Sequence, residues 1–135
     1  MGLDMYAYVA AKAGEYDEYY AAPGAYEDGE WTVPGKTKPR ELAYWRKHPN
    51  LHGWMRRLWE SKGNQGGFNG DELELTWQDL DALEQAVTHG QLPGTSGFFF
   101  GEAADEYYRL SDLEFIKNAR AELFLGLKVF YNSSW

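Results

Sequence analysis

The strongest constraint on this chain lies in its first residues. From Leu3 to Ala11, the apolar Leu3, Met5, Ala7 and Val9 alternate with Asp4, Tyr6 and Tyr8. A period of two with one apolar face marks a β-strand covered on one side. Lys128–Tyr131 reads as a final strand that can pair with this first one. Leu73–Leu75 adds a short third strand, and another is expected around Trp31–Val33.

Between the terminal strands the pattern turns helical. Pro49 suits a first helical turn, where its missing N–H costs nothing. Leu51, Trp54, Met55, Leu58 and Trp59 then form an apolar stripe, so a helix is predicted over Pro49–Ser61, stopped at Lys62 and Gly63. A further helical turn is expected through Glu41–Lys47. A second helix is predicted from Thr76, a suitable N-cap, to His89, with Leu80, Leu83 and Val87 buried. A third is predicted from Ser111, where Ser111-x-x-Glu114 has the capping-box pattern, with Leu113, Ile116, Ala119, Leu123 and Leu127 inward. Gly14–Lys38 has no clear period, and Gly63–Gly70 reads as a flexible loop. The expected fold is α+β: a small antiparallel sheet holding both terminal strands, packed against about three helices.

The length of 135 residues fits a single domain spanning residues 1–135. The chain has no cysteine, which excludes disulfides and thiolate chemistry and fits a reducing compartment. A formal charge of −8 disfavours general nucleic-acid binding. No apolar run is long enough to cross a bilayer, and Met1-Gly2-Leu3-Asp4 lacks the basic start of a secretory signal, so a cytoplasmic protein without membrane association is expected. Six Trp, ten Tyr and seven Phe exceed what a core of this size needs, so some rings are expected to line a binding surface.

Functional side chains are densest from Tyr44 to His52. Tyr44, Trp45, Arg46, Lys47, His48 and His52 combine stacking surface, cations and imidazoles, a set suited to an anionic ligand with an aromatic base. The same residues admit a plainer reading, with Tyr44 and Trp45 in the core and Arg46 and Lys47 paired with carboxylates. His48 and His52 have the spacing of paired metal ligands, but Pro49 between them breaks the helical register; no metal and no cofactor are expected. Gly94–Gly101 has Gly and hydroxyl residues but neither the Lys-Ser/Thr of a P-loop nor the order of a nucleophile elbow. Phe98, Phe99 and Phe100 cannot all face one side, so one ring of this loop is expected to meet a ligand or partner. Asp4 is expected to pair with Arg46, and Trp135 to be packed.

Taken in order, several segments resemble a group of small proteins of tailed phages and prophages. They are Met1-Gly2-Leu3-Asp4-Met5-Tyr6, Tyr44-Trp45-Arg46-Lys47 with His52 and Trp54, Ser96-Gly97-Phe98-Phe99-Phe100-Gly101, and Ser133-Ser134-Trp135. The resemblance implies a non-virion accessory protein made in the infected cell, and it carries no established activity. The expectation is a protein that binds a small anionic, nucleotide-like ligand or a host protein. The alternatives are an interaction module or homodimer using exposed aromatics, and a hydrolase of a nucleotide-like substrate with His48 or His52 as base. The candidate binding residues are Asp4, Tyr6, Tyr44, Trp45, Arg46, Lys47, His52, Ser96, Phe98, Phe99, Phe100 and Trp135.

Overall fold

A computed structural model describes residues 3–36, 38–46, 48–93 and 101–135, the last range with its side chains from residue 107 onward. The elements in chain order are β1 (Asp4–Ala10), α1 (Glu15–Ala21), β2 (Ala25–Glu27), β3 (Glu30–Thr32), β4 (Arg40–Arg46), α2 (Pro49–Ser61), β5 (Leu73–Leu75), α3 (Trp77–Thr88), α4 (Gly101–Phe124) and β6 (Lys128–Ser134). The fold is α+β. Its main sheet has four strands in the order β4-β1-β6-β5, each neighbouring pair antiparallel. The two terminal strands are the central pair, with Asp4 opposite Ser134 and Ala10 opposite Lys128. Among the described residues, no helix is long and apolar enough to cross a membrane.

Strand alternation divides the sheet into two faces. Met5 and Ala7 of β1, Trp45 of β4, Leu73 and Leu75 of β5, and Val129 and Tyr131 of β6 share one face. They form a single buried cluster with Leu51, Met55 and Trp59 of α2, Leu80, Leu83, Ala86 and Val87 of α3, and Phe115, Ile116 and Ala119 of α4. Three helices therefore cover this face. The opposite face carries Tyr6, Tyr8 and Phe130, which pack with Tyr16 of α1 into a second, smaller cluster.

Three segments differ from the sequence-based expectation. Glu41–Lys47 is not a helical turn: residues 41–46 belong to β4, paired with β1 through Met5↔Trp45 and Tyr6↔Tyr44. Adjacent Tyr and Trp favour a pleated, half-buried surface, and His48 precedes a proline, which disfavours helical backbone there. The helix therefore begins at Pro49 itself, with His48 as N-cap. The third predicted helix starts ten residues earlier, at Gly101 rather than Ser111. Ser111 is no cap; its hydroxyl donates to the Tyr108 carbonyl oxygen at 3.0 Å, the back-bonding of a mid-helix serine. Finally, residues 14–38, expected to hold only a short strand around Trp31–Val33, carry α1 and the hairpin β2–β3, of which β3 is that strand, one residue earlier. Asp28 and Gly29 join its strands with φ of 52° and 81°, a two-residue turn with both central residues left-handed.

Candidate functional site

The second face of the sheet holds the candidate site. Tyr6 and Tyr8 project from β1, and Tyr44 from β4, opposite Tyr6. α1 lies over them because Tyr16 and Tyr20, four residues apart, fall on one helical face. Tyr16 stacks on Tyr8 at 4.4 Å between ring centroids, and Tyr20 meets Tyr16 at 4.7 Å. Glu72 ties the lid down: one carboxylate oxygen accepts from the Tyr8 hydroxyl at 2.5 Å and the other from the Gly14 N–H at 3.0 Å. Gly14 has φ of 79°, a backbone that favours glycine, and this turn lets α1 fold back over β1.

Between α1 and the first residues of β4 lies a recess of about 500 Å³. Its walls are the rings of Tyr6, Tyr8, Tyr16, Tyr20 and Tyr44, and its rim is Lys38-Pro39-Arg40-Glu41. Burial raises the phenol pKa of Tyr6 and pushes that of Tyr16 up to about 12, with neighbouring phenols and Glu41 adding to it. Tyr44 is raised chiefly by donating to the Asp4 carboxylate, at 2.6 Å. These phenols are neutral at physiological pH, so the rim sets the local charge. Arg40 is ion-paired with Glu122 of α4. Lys38 is exposed and has no ion-pair partner among the described residues. The recess thus offers flat aromatic surface, phenol hydrogen-bonding groups and an unshared ammonium.

The candidate residues fall into three places. Tyr6 and Tyr44 line the recess. Asp4 and Arg46 lie beside it, with 3.8 Å between Asp4 Oδ1 and Arg46 Nε, the ion pair expected from sequence. Both side chains are substantially exposed, so the pair contributes little to stability. Trp45 faces the opposite way, 2% exposed, in the core beneath α4. Its indole N–H donates to Asp112 Oδ1 at 2.9 Å, and the other Asp112 oxygen meets His48 Nε2 at 2.8 Å. This buried Trp45–Asp112–His48 network joins β4, α4 and the N-cap of α2.

His52 and Trp135 form the third place, on the helix-covered side. His52 Nδ1 meets the Tyr131 hydroxyl at 2.8 Å, and its ring stacks on Phe68. Trp135 is half exposed, yet it is held: its N–H and carbonyl oxygen bond the Asn69 side chain, and its indole donates to the Phe68 carbonyl oxygen. His48 and His52 therefore turn to different partners. Among the described residues no group of three His, Asp or Glu is placed to hold a metal ion. Lys47, Ser96, Phe98, Phe99 and Phe100 lie outside the described residues.

The His52 environment has a measurable pH signature. Burial, and secondarily the Arg56 guanidinium, lowers its pKa from 6.5 to about 4. Between those values the unfolded chain binds a proton that the folded state refuses, so stability rises with pH there. The contribution of neutral His52 is complete above about pH 6.5 and is lost as pH falls toward about 4. An NMR titration should find the imidazole neutral at pH 5.5, and His52→Gln should narrow the gap in melting temperature between pH 7.5 and pH 5. Titration of His52 near 6.5 would refute this picture.

Sequence reasoning passed over Tyr8, Tyr16, Tyr20, Lys38, Arg40 and Asp112. A signal existed for some of them. The Tyr16/Tyr20 spacing marks one face of a helix, and Asp112 sits three, four and seven residues before the inward Phe115, Ile116 and Ala119. No protein-family model, curated protein or solved structure matches this chain.

Proposed function

We propose that this protein binds a small, flat, anionic ligand of nucleotide-like chemistry in the tyrosine-lined recess between α1 and β4. The observation that carries this reading is a half-open recess of about 500 Å³ lined by five tyrosines and by Lys38, which has no ion-pair partner among the described residues. A volume of this order suits a small organic ligand, ~300–1,000 Å³ being usual. A planar ring can slide against Tyr20 and Tyr44, and base–aromatic stacking is worth about 1–3 kcal/mol. The anionic group then meets Lys38. A chain of formal charge −8 has little long-range attraction for anions, so recognition rests on these local contacts. With the resemblance to phage accessory proteins as its only support, we further propose that this binding takes place in the cytoplasm of an infected bacterial cell.

Isothermal titration calorimetry with a panel of mononucleotides and phosphorylated metabolites tests the reading. Tyr20→Ala should weaken binding by about 1–3 kcal/mol. Lys38→Ala should weaken it by up to about tenfold and flatten its salt dependence. Lys38 is exposed, so the melt of Lys38→Ala should match wild type, while Tyr20→Ala also loses its ring contacts with Tyr16 and Tyr19 and should melt somewhat lower. Absence of heat with every anionic probe would overturn the reading. The function would then shift to docking a host protein, for which Leu110, Phe124 and Leu125 of the α4 region present exposed apolar surface.

A further inference from the structure

A second recess adjoins the first. It measures about 490 Å³ and is lined by Val9, Ala10, Ala11, Glu15 and Leu127 together with the Lys38-Pro39-Arg40 segment. The tyrosine recess is lined by the same three residues. The two cavities are nearly equal in volume and different in chemistry. One is walled by rings. The other is walled by aliphatic groups, with the Glu15 carboxylate at its edge. That carboxylate is fixed in place, since its Oε2 accepts the backbone N–H groups of Ala11 at 2.8 Å and Lys12 at 3.2 Å.

Pro39 is buried between two exposed cations, and Arg40 is anchored on α4 through Glu122. The segment is therefore tied to α4 through Arg40, and Lys38 is its cation without an ion-pair partner among the described residues. A ligand filling both recesses would cross it at Lys38 and Arg40. The group that crosses best is an anionic linker, and the part beyond it needs apolar surface with at least one hydrogen-bond donor for Glu15.

We infer that the ligand is bipartite: an aromatic head in the tyrosine recess, a phosphodiester or pyrophosphate bridge over the Lys38-Pro39-Arg40 ridge, and a second, hydroxyl- or amine-bearing moiety in the Ala11–Leu127 recess. A dinucleotide has this chemistry. The inference rests on the binding function proposed above and extends it from one recess to two. It also explains the position of Lys38 and Arg40: they line both cavities, where the two halves of a ligand join.

The test uses calorimetry on the intact protein with two probes, AMP and diadenosine pyrophosphate. The bridged probe should bind at least about tenfold more tightly than AMP, since its second half binds intramolecularly. Ala11 is exposed and follows β1, so Ala11→Trp fills the second recess without entering the core. In that variant the bridged probe should fall to the affinity of AMP, while AMP itself binds as it does to wild type. Leu127→Phe provides an independent block of the same cavity. Equal affinity for the two probes in wild type, or an unchanged gain in both variants, would overturn the bipartite ligand while leaving the tyrosine site standing. Failure of both probes, together with the mononucleotide panel, would remove the site altogether.

Discussion

Replacing Asp112 by alanine is expected to destabilise the fold by about 3–5 kcal/mol, the range for removing one partner from a buried, hydrogen-bonded polar cluster. Asp112 is 1% exposed and His48 fully buried. The carboxylate accepts from the indole of Trp45 and meets the His48 imidazole, and Tyr108 closes the site by stacking on His48 at 4.5 Å. Alanine would leave the Trp45 indole N–H and the His48 ring nitrogen buried without this carboxylate. The loss should appear as a melting temperature lower by about 10 °C or more. Asp112→Asn should be milder, because an amide oxygen can still accept from Trp45 and its NH₂ can face the imidazole. Urea denaturation of both variants checks this; an Asp112→Ala protein within about 1 kcal/mol of wild type would mean that the network contributes little.

Phe68→Ala should cost a similar amount, about 3–5 kcal/mol. Phe68 is fully buried although it lies in the glycine-rich connection between α2 and β5. Its ring meets Trp59 at 4.8 Å, His52 at 5.3 Å and Tyr131 at 5.9 Å. Its backbone is left-handed, with φ of 52°, a conformation unusual for a bulky residue. The buried ring and the Trp135 indole on its carbonyl oxygen hold that conformation in place. A second comparison follows. Glycine normally destabilises relative to alanine, but at a left-handed position alanine carries a penalty of about 1–2 kcal/mol. Phe68→Gly should therefore be no less stable than Phe68→Ala in urea melts; a clearly less stable glycine variant would show that the backbone is not under strain there.

The contrast between these two sites shows what was legible in the sequence. α2 runs from Pro49 to Ser61 as its stripe and proline predict, and α3 begins at the Thr76 cap, whose side chain accepts from Asp79 N–H. Local signals were sufficient for both. The pairing of β1 with β6 was also legible, since the alternating first segment and the apolar Lys128–Tyr131 run both read as strands that could pair. Phe68 was not: a lone aromatic among Gly63, Gly66, Gly67 and Gly70 carries no periodic pattern, and only the tertiary fold turns it inward. β4 was misread because seven residues ending in Tyr44-Trp45-Arg46 have too little period to separate strand from helix. The hairpin at Asp28-Gly29 is a different case, since an Asp-Gly pair is a strong local signal that the acidic, aperiodic surroundings obscured.

The candidate site follows the same division. Tyr44 was singled out with the Tyr44–His52 cluster, Tyr6 with the opening Met1–Tyr6 segment, and the Asp4–Arg46 pair from chemistry alone. The grouping of Trp45 with Tyr44 reflects a limit of reading neighbours in sequence as neighbours in space. Consecutive strand residues face opposite sides, so Trp45 went to the core and Tyr44 to the recess. Lys38 and Arg40 gain meaning only once β4 is set against β1 and α1 is folded over both.

The central position of the terminal strands also governs the order in which the fold can be assembled. Asp4 pairs with Ser134, a separation of 134 − 4 = 130 residues, so the β1–β6 contact closes nearly the whole chain into one loop. Such non-local pairing is slow. During synthesis β1 emerges first, but its partner Lys128–Ser134 is made only after every other element of the sheet. Until then β1 can pair with β4 alone, and Leu73–Leu75 has no strand beside it. Nascent chains halted before residue 128 should therefore remain protease-sensitive, and the four-stranded sheet is completed in one late step.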